Sequence, residues 1–375
     1  MSIGLLVAVI VIALAFTYIN GFHDTANSIA TVVATKVLTP GQAVIMAAIT
    51  NLIGALWGTA VAKTIAEGLI NASMVNEGAY FLISALLGAC IWNLVTWWWG
   101  LPSSSSHGLV GGLIGAALAA SHNNLHSVIW WAPDGSEHWW QAQGVIPKVL
   151  IPMVASPLLG FALCFVLMLL LYMLLMWFSR RGKRLARLGR TPFVNAFFGK
   201  AQIASAAAMG LSHGMNDAQK TMGIVALALA GATAAGTLDD LPHWLEFLRI
   251  SKAADGELVV PLWVVVTCAL VMAAGTAGGG WRIIKTLGHK MVRLHPINGF
   301  VAETGSALVI IVASMFGLPV STTHVVSSGI MGVGAAKRFS AIRWTVVERM
   351  IWAWLLTVPI TTLLSWLVAM GLKAL

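Results

Sequence analysis

Twice in this chain an aspartate interrupts an apolar run long enough to cross a bilayer: in Asn20-Gly-Phe-His-Asp24 and in His213-Gly-Met-Asn-Asp217. A charged side chain at the centre of a bilayer costs roughly 3 kcal/mol or more, so such residues face a protein interior and are paired or functional. The two runs align at an offset of 193 residues, each reading polar, glycine, apolar, polar, aspartate, with Asn20 facing His213 and His23 facing Asn216. Each is expected to break its span. A duplicated break predicts a chain built twice, with a binding site where the copies meet.

Composition agrees on the solvent. The chain is 58% hydrophobic and 9% charged, against about 25% charged in soluble domains. Apolar runs of about twenty residues recur, each matching a hydrocarbon core of roughly 30 Å. The net charge of +9 sits in the connections between spans, where it reports topology and not nucleic acid. Cys90, Cys164 and Cys268 fall inside apolar runs without metal spacing and read as packing residues.

In order, the first half offers a span from Ile3 broken at the first motif and ending near Lys36, then spans near 41–62 and 80–99. Next comes Leu101-Pro102-Ser-Ser-Ser-Ser106-His107 with a glycine-rich helix behind it, and then a span near 149–178. The second half repeats the plan: a broken span near 201–235, spans near 258–275 and 298–317, Leu318-Pro319-Val-Ser321-Thr322-Thr323-His324 with its helix, and a last span from Trp344. The expected organisation is a first repeat at 1–178, a basic linker at 179–200 and a second repeat at 201–375.

Five crossings per half is an odd number, so the second copy enters from the opposite face. The fold expected is an all-α polytopic membrane protein of two inverted five-span repeats with broken helices, about 10–12 membrane segments. Arg180, Arg181, Lys183, Arg184, Arg187, Arg190 and Lys200 form a run of cations without an acid. That run, and the stretches near 282–293 and 337–343, fall inside if the N-terminus is outside. The cation-poor connections at 121–147, with Asp134 and Glu137, and at 237–257 then fall outside.

Inverted repeats with broken helices are transporter architecture. A proline followed by hydroxyls marks a helix start, and helix starts attract anions through unpaired N–H groups and the macrodipole. Two such starts facing each other, Ser104, Ser105 and Ser106 with Ser321, Thr322 and Thr323, would cage a tetrahedral oxyanion, with Lys220 adding positive charge. Asp24 and Asp217 would repel that anion unless a cation or proton occupies them, which is symport. Asn20, Asn27 and Asn216 offer carbonyl oxygens to a hard cation. His23 and His213 could relay protons, with His23 placed to orient Asp24, carry a proton or touch a metal. Glu303 is a third intramembrane acid, a coupling residue or an interhelical bond. Asn51 and Asn93 read as helix glue, and His107 and His324 as caps of their hydroxyl runs.

Asn20-Gly-Phe-His-Asp-Thr-Ala-Asn27, Ser212-His-Gly-Met-Asn-Asp-Ala-Gln-Lys220 and the two proline-hydroxyl runs together resemble the inorganic phosphate transporter (PiT) family, most closely its bacterial low-affinity Pit branch. The likeness covers nearly the whole chain. It implies phosphate uptake, with Ser104–Ser106 and Ser321–Thr323 around the anion and Asp24, Asn27, Asn216 and Asp217 in cation or proton coupling. His23 stands where the commoner Gly-Ala-Asn-Asp motif has asparagine, as in proton-coupled members, and Lys220 departs from the usual pattern in the second copy. In that branch the cargo is a neutral complex of phosphate with a divalent metal such as Mg²⁺, for which Asp24 and Asp217 are candidate ligands.

The expectation is therefore a secondary transporter of the bacterial inner membrane, not an enzyme. It imports inorganic phosphate, as a metal-phosphate complex with protons, by alternating access. Sodium-coupled phosphate or sulfate symport is the alternative, and a passive anion channel or a phosphate-sensing receptor the alternative of another class. The expected partners are phosphate, protons or sodium and the lipid bilayer, with a homodimer left open.

Overall fold

The computed structural model describes residues 2–67, 69, 79–132, 142–180, 190–250 and 259–374. Among them no β-strand occurs, only one isolated antiparallel bridge between Ala132 and Gln143. The first half comprises α1 (Ile3–Ala34), α2 (Pro40–Ala55), α3 (Ala60–Glu67), α4 (Ala79–Trp99), α5 (Ser105–Ala120) and α6 (Ile146–Arg180). The second comprises α7 (Thr191–Ala234), α8 (Leu262–Gly278), α9 (Trp281–Lys290), α10 (Pro296–Met315), α11 (Thr322–Lys337) and α12 (Trp344–Lys373). The order recurs in detail. A long helix is followed by a bent pair, α2/α3 at 70° and α8/α9 at 57°. Then come a helix, a 16-residue helix behind a proline, and a long helix with an internal proline, Pro157 or Pro359. Counting each bent pair once gives ten segments among the described residues, five per half.

Packing is reciprocal as well. Helix α1 lies against α8 as α7 lies against α2, and α6 lies against α11 as α12 lies against α5. Each half therefore completes the other's core.

Local chemistry sets the turns that matter. Helices α4 and α10 both end in a left-handed glycine, Gly100 and Gly317, each at φ 65°, a conformation open to glycine without a Cβ clash. In each, the next amide reaches back to close the helix end, Leu101 to Thr96 and Leu318 to Ala313, both at 2.9 Å. The chain then passes through Leu-Pro into the next helix. Ser104 caps α5 and Ser321 caps α11, each hydroxyl accepting from the amide of the histidine three residues on at 3.2 Å. These amide bonds bear out the expected helix starts. The segments from Pro102 to Ala117 and from Pro319 to Ala335 are buried throughout.

One expectation is corrected. The motifs do not break their helices: α1 runs unbroken for 32 residues and α7 for 44. The reason is that the motif side chains are polar while their backbone is ordinary, with no proline between Ile3 and Ala34 or after Pro192 in α7. Polar side chains that find partners on neighbouring helices leave the i to i−4 ladder intact. The breaks fall in the bent pairs and in the two glycine-proline turns. Within the basic linker, Thr191–Lys200 is helical and continuous with α7. Arg181, Lys183, Arg184 and Arg187 of that linker lie outside the described residues, as do Asp134, Glu137 and Glu257.

Five of the described helices are long and apolar enough to cross a membrane, or seven if each bent pair is one span. The rest of the ten are α5, α7 and α11, which are short or carry the polar motifs.

Candidate functional site

The two hydroxyl-bearing helix starts and the two aspartates meet in the interior. Asp24, at 3% exposure, has one carboxylate oxygen 2.7 Å from Nδ1 of His23 and accepts the Ser105 hydroxyl at 2.7 Å on the other. The Thr323 hydroxyl reaches it from the second half at 3.4 Å. Asp217, at 1% exposure, accepts the Thr322 hydroxyl at 3.0 Å, lies 2.8 Å from Nε2 of His213 and pairs with the Lys220 ammonium. Lys220 also donates to the Ser106 hydroxyl, and to the Val320 carbonyl at 3.3 Å.

The offset of 193 that pairs the aspartates also pairs Asn27 with Lys220, and the structure gives the two matching tasks. Asn27 of the first half donates to Thr322 and Thr323 of the second at 3.2 and 2.9 Å. Lys220 of the second donates to Ser106 of the first. Each copy thus reaches across to the other's helix start.

Not every expected residue joins this cluster in the same way. Ser104 and Ser321 spend their side-chain oxygens as caps. Asn216 turns its amide to the Ser314 hydroxyl at 2.9 Å and the Leu318 carbonyl at 3.3 Å, holding the turn before α11. Glu303 lies in a separate buried cluster, where it accepts from Thr31 and Ser205 and, at 3.1 Å, from Gln202. His107 and His324 place their rings against each other, 4.8 Å between centroids, so their backbone amides and not their rings serve the caps. Asn51 holds Nδ1 of His213 at 3.2 Å and donates to Thr276 at 2.8 Å, consistent with an interhelical tie.

Several participants were invisible in the sequence. Thr96 and Ser103 hold Nε2 of His23 at 3.2 and 3.5 Å, and Gln202 and Ser205 surround Glu303. Ser28 and Thr221 each stand one turn beyond an aspartate, equivalent at the same offset, and both hydroxyls are buried without a partner. That spacing, read on a helix, was the available signal.

The site's chemistry can be tested against a cation. The side-chain oxygens of Asn20, Asn27 and Asn216 are buried acceptors without a donor, which is costly unless something positive or hydrogen-bonding meets them. One ligand atom each from Asp24, His213 and Asp217 lies within 4.8 Å of the others. Carboxylates and amide carbonyls suit a hard cation, and the imidazole extends the set toward transition metals. On the anion side, the first turns of α5 and α11 carry N–H groups without intrahelical acceptors. The residues present therefore fit a cation beside an oxyanion.

Long apolar helices around an interior of acids, amides and helix starts define a multi-pass membrane protein with a polar site enclosed between its helices. The family model described as "PHO4: Phosphate transporter family" matches residues 20–365, and the chain belongs to that family. It is 42% identical over 367 residues to the "Probable low-affinity inorganic phosphate transporter" of Rhizobium meliloti (strain 1021), covering 97% of this chain and 96% of the relative. It is 38% identical over 361 residues to the protein of the same description from Bacillus subtilis (strain 168), covering 96% and 95%. A solved structure described as "The sodium-dependent phosphate transporter" shares the fold over 100% of both chains, with a TM-score of 0.78 at 23% identity.

Proposed function

We propose that this chain imports inorganic phosphate across a bacterial inner membrane by alternating exposure of the site between α1, α5, α7 and α11, coupled to cations held at Asp24 and Asp217. One observation carries the reading: the hydroxyls suited to an oxyanion, those of Ser105, Thr322 and Thr323, are donated to the two aspartates. A hydroxyl has one proton to give. A cation or proton on the carboxylate removes the competing acceptor and frees that hydrogen for phosphate. Coupling is then a consequence of shared donors and charge neutralisation together.

The reciprocal packing of the halves supports inverted repeats, an arrangement that lets one site face either side in turn. Protons are the favoured coupling ion, because each aspartate has an imidazole nitrogen within 2.8 Å and imidazole exchanges protons near neutral pH. A divalent metal travelling with phosphate as co-substrate is favoured by the cluster of Asp24, His213 and Asp217. The sodium reading draws on the three unsatisfied asparagine oxygens.

Labelled phosphate uptake into proteoliposomes separates these readings. An imposed proton gradient is expected to drive accumulation, Mg²⁺ to increase it, and sulfate to compete poorly. Accumulation that follows a sodium gradient at constant pH would replace protons by sodium. Equilibration without accumulation under every gradient would leave a channel.

A further inference from the structure

A second feature of the molecule remains outside this site. At one mouth, the ends of α1 and α11 and the starts of α10 and α12 enclose a cavity of about 970 Å³. Lys36, Arg293, Lys337, Arg338 and Arg343 line it, and no acid does. All five are exposed, and none forms an ion pair within the described residues. Lys36 holds a left-handed backbone, φ 60°, where α1 ends, a conformation uncommon outside glycine.

We propose that this cavity is a binding site for a phosphate group, separate from the site at Asp24 and Asp217. Three arginines lining one concavity can offer paired N–H donors to phosphate oxygens in a way that lysine ammonium groups cannot. Topology requires cations on one side of a membrane, but it does not require them to line one acid-free concavity. The volume admits a phosphate that is free or one carried on a lipid headgroup. The chemistry is the same for both.

A polar stripe on α1 runs from the cavity toward the interior. Asp24, Asn27, Thr31 and Thr35 recur every three or four residues along one face of α1, and Thr35 lines the cavity. Its hydroxyl donates to Gln202 at 2.8 Å, and Gln202 donates to Glu303, which also accepts from Thr31. The second half lacks such a stripe, since the equivalents of Thr31 and Thr35 at the same offset are Ile224 and Ala228. The stripe of α1 therefore has no counterpart at the equivalent positions of α7.

Equilibrium dialysis of the purified full chain with labelled inorganic phosphate tests the proposal without requiring turnover, so its failure is distinct from failure of the uptake reading. The triple variant Arg293→Gln, Arg338→Gln, Arg343→Gln is compared with an equal-charge control, Arg180→Gln, Lys200→Gln, Lys285→Gln. In detergent, the expected result is one class of phosphate site weakened at least tenfold in the triple variant alone, with the wild-type affinity falling as salt rises. In nanodiscs, loss of labelled phosphatidylglycerol from the triple variant alone, with phosphate binding unchanged, assigns the same site to a lipid headgroup. If both ligands bind the triple variant and the control equally, the proposal is overturned.

Discussion

Replacing Lys220 by methionine tests a buried lysine–aspartate pair. Lys220 and Asp217 are each 1% exposed in their side chains and lie one helical turn apart on α7. Removing one partner of a buried pair costs about 3–5 kcal/mol, because the remaining charge stays behind without compensation. In Lys220→Met, Asp217 keeps Thr322 at 3.0 Å and His213 at 2.8 Å, so the loss falls near about 3 kcal/mol, the lower end of that range. In Asp217→Asn, the ammonium keeps only neutral acceptors, Ser106 and the Val320 carbonyl, and the loss approaches about 5 kcal/mol. The double variant leaves no unpaired charge and is expected to be more stable than either single one. Equilibrium unfolding of the four proteins in a denaturing detergent gives the coupling. Additivity within about 0.5 kcal/mol would mean that the two charges do not interact, and the pair would have to be withdrawn. Uptake should stay low in the double variant, since restored stability does not restore a carboxylate.

Three further outcomes follow from the same geometry. Asp24→Asn should abolish accumulation of phosphate in proteoliposomes while phosphate binding by dialysis persists, because a neutral amide competes less for the Ser105 hydroxyl; wild-type accumulation would remove Asp24 from coupling. Gly21→Ala and Gly214→Ala should each lower the unfolding midpoint by the equivalent of about 1–3 kcal/mol, since a Cβ on Gly21 would come within 2.6 Å of the Met272 carbonyl and one on Gly214 would meet the Asn51 carbonyl; unchanged midpoints would show that these helices have room to part. Glu303→Gln should change how uptake responds to the driving ion gradient without altering phosphate affinity, because Glu303 is bonded to Thr31, Ser205 and Gln202 and not to the hydroxyl pair; a loss of phosphate affinity alone would place Glu303 in the anion site.

The sequence carried the segment plan because hydrophobicity and punctuation are local properties. Pro102 and Pro319, each followed by hydroxyls, marked real helix starts, and Ser104 and Ser321 cap them. The motif aspartates marked the interior because carboxylates in an apolar span have few other places to go. The error at the motifs had a physical origin: polarity was taken for a backbone break, although α1 and α7 keep their ladders through Asp24 and Asp217. The bends between α2 and α3 and between α8 and α9 fall at left-handed glycines, Gly58 at φ 86° and Gly279 at φ 69°, and Gln219 of α7 holds the first by accepting from the Val61 amide and donating to the Trp57 carbonyl. Long-range partners such as Thr96 for His23, or Gln202 for Glu303, depend on helix packing between segments 73 and 101 residues apart. No local pattern encodes that distance.

The unbroken helices bear on how charge and cargo share the interior. Since α1 and α7 hold both aspartates on continuous backbone, the carboxylates are fixed in their own helices, and the hydroxyls that satisfy them arrive on α5 and α11. Those two helices follow turns whose glycines sit at φ 65° and whose prolines lack an amide hydrogen. A hydroxyl run can leave a carboxylate only if something else satisfies the acid, or a buried charge is left bare at a cost of several kcal/mol. In the proposed uptake cycle, binding of the cation therefore precedes or accompanies release of the hydroxyls to phosphate. The reverse order would place an anion beside the Asp24 carboxylate, which among the described residues has no lysine partner as Asp217 has in Lys220, in a low-dielectric interior where like charges repel most strongly. In this reading the coupling order is a property of which helix carries the acid and which carries the donor, and Asn27 and Lys220, reaching across from opposite halves, tie each donor helix to the other copy's acid.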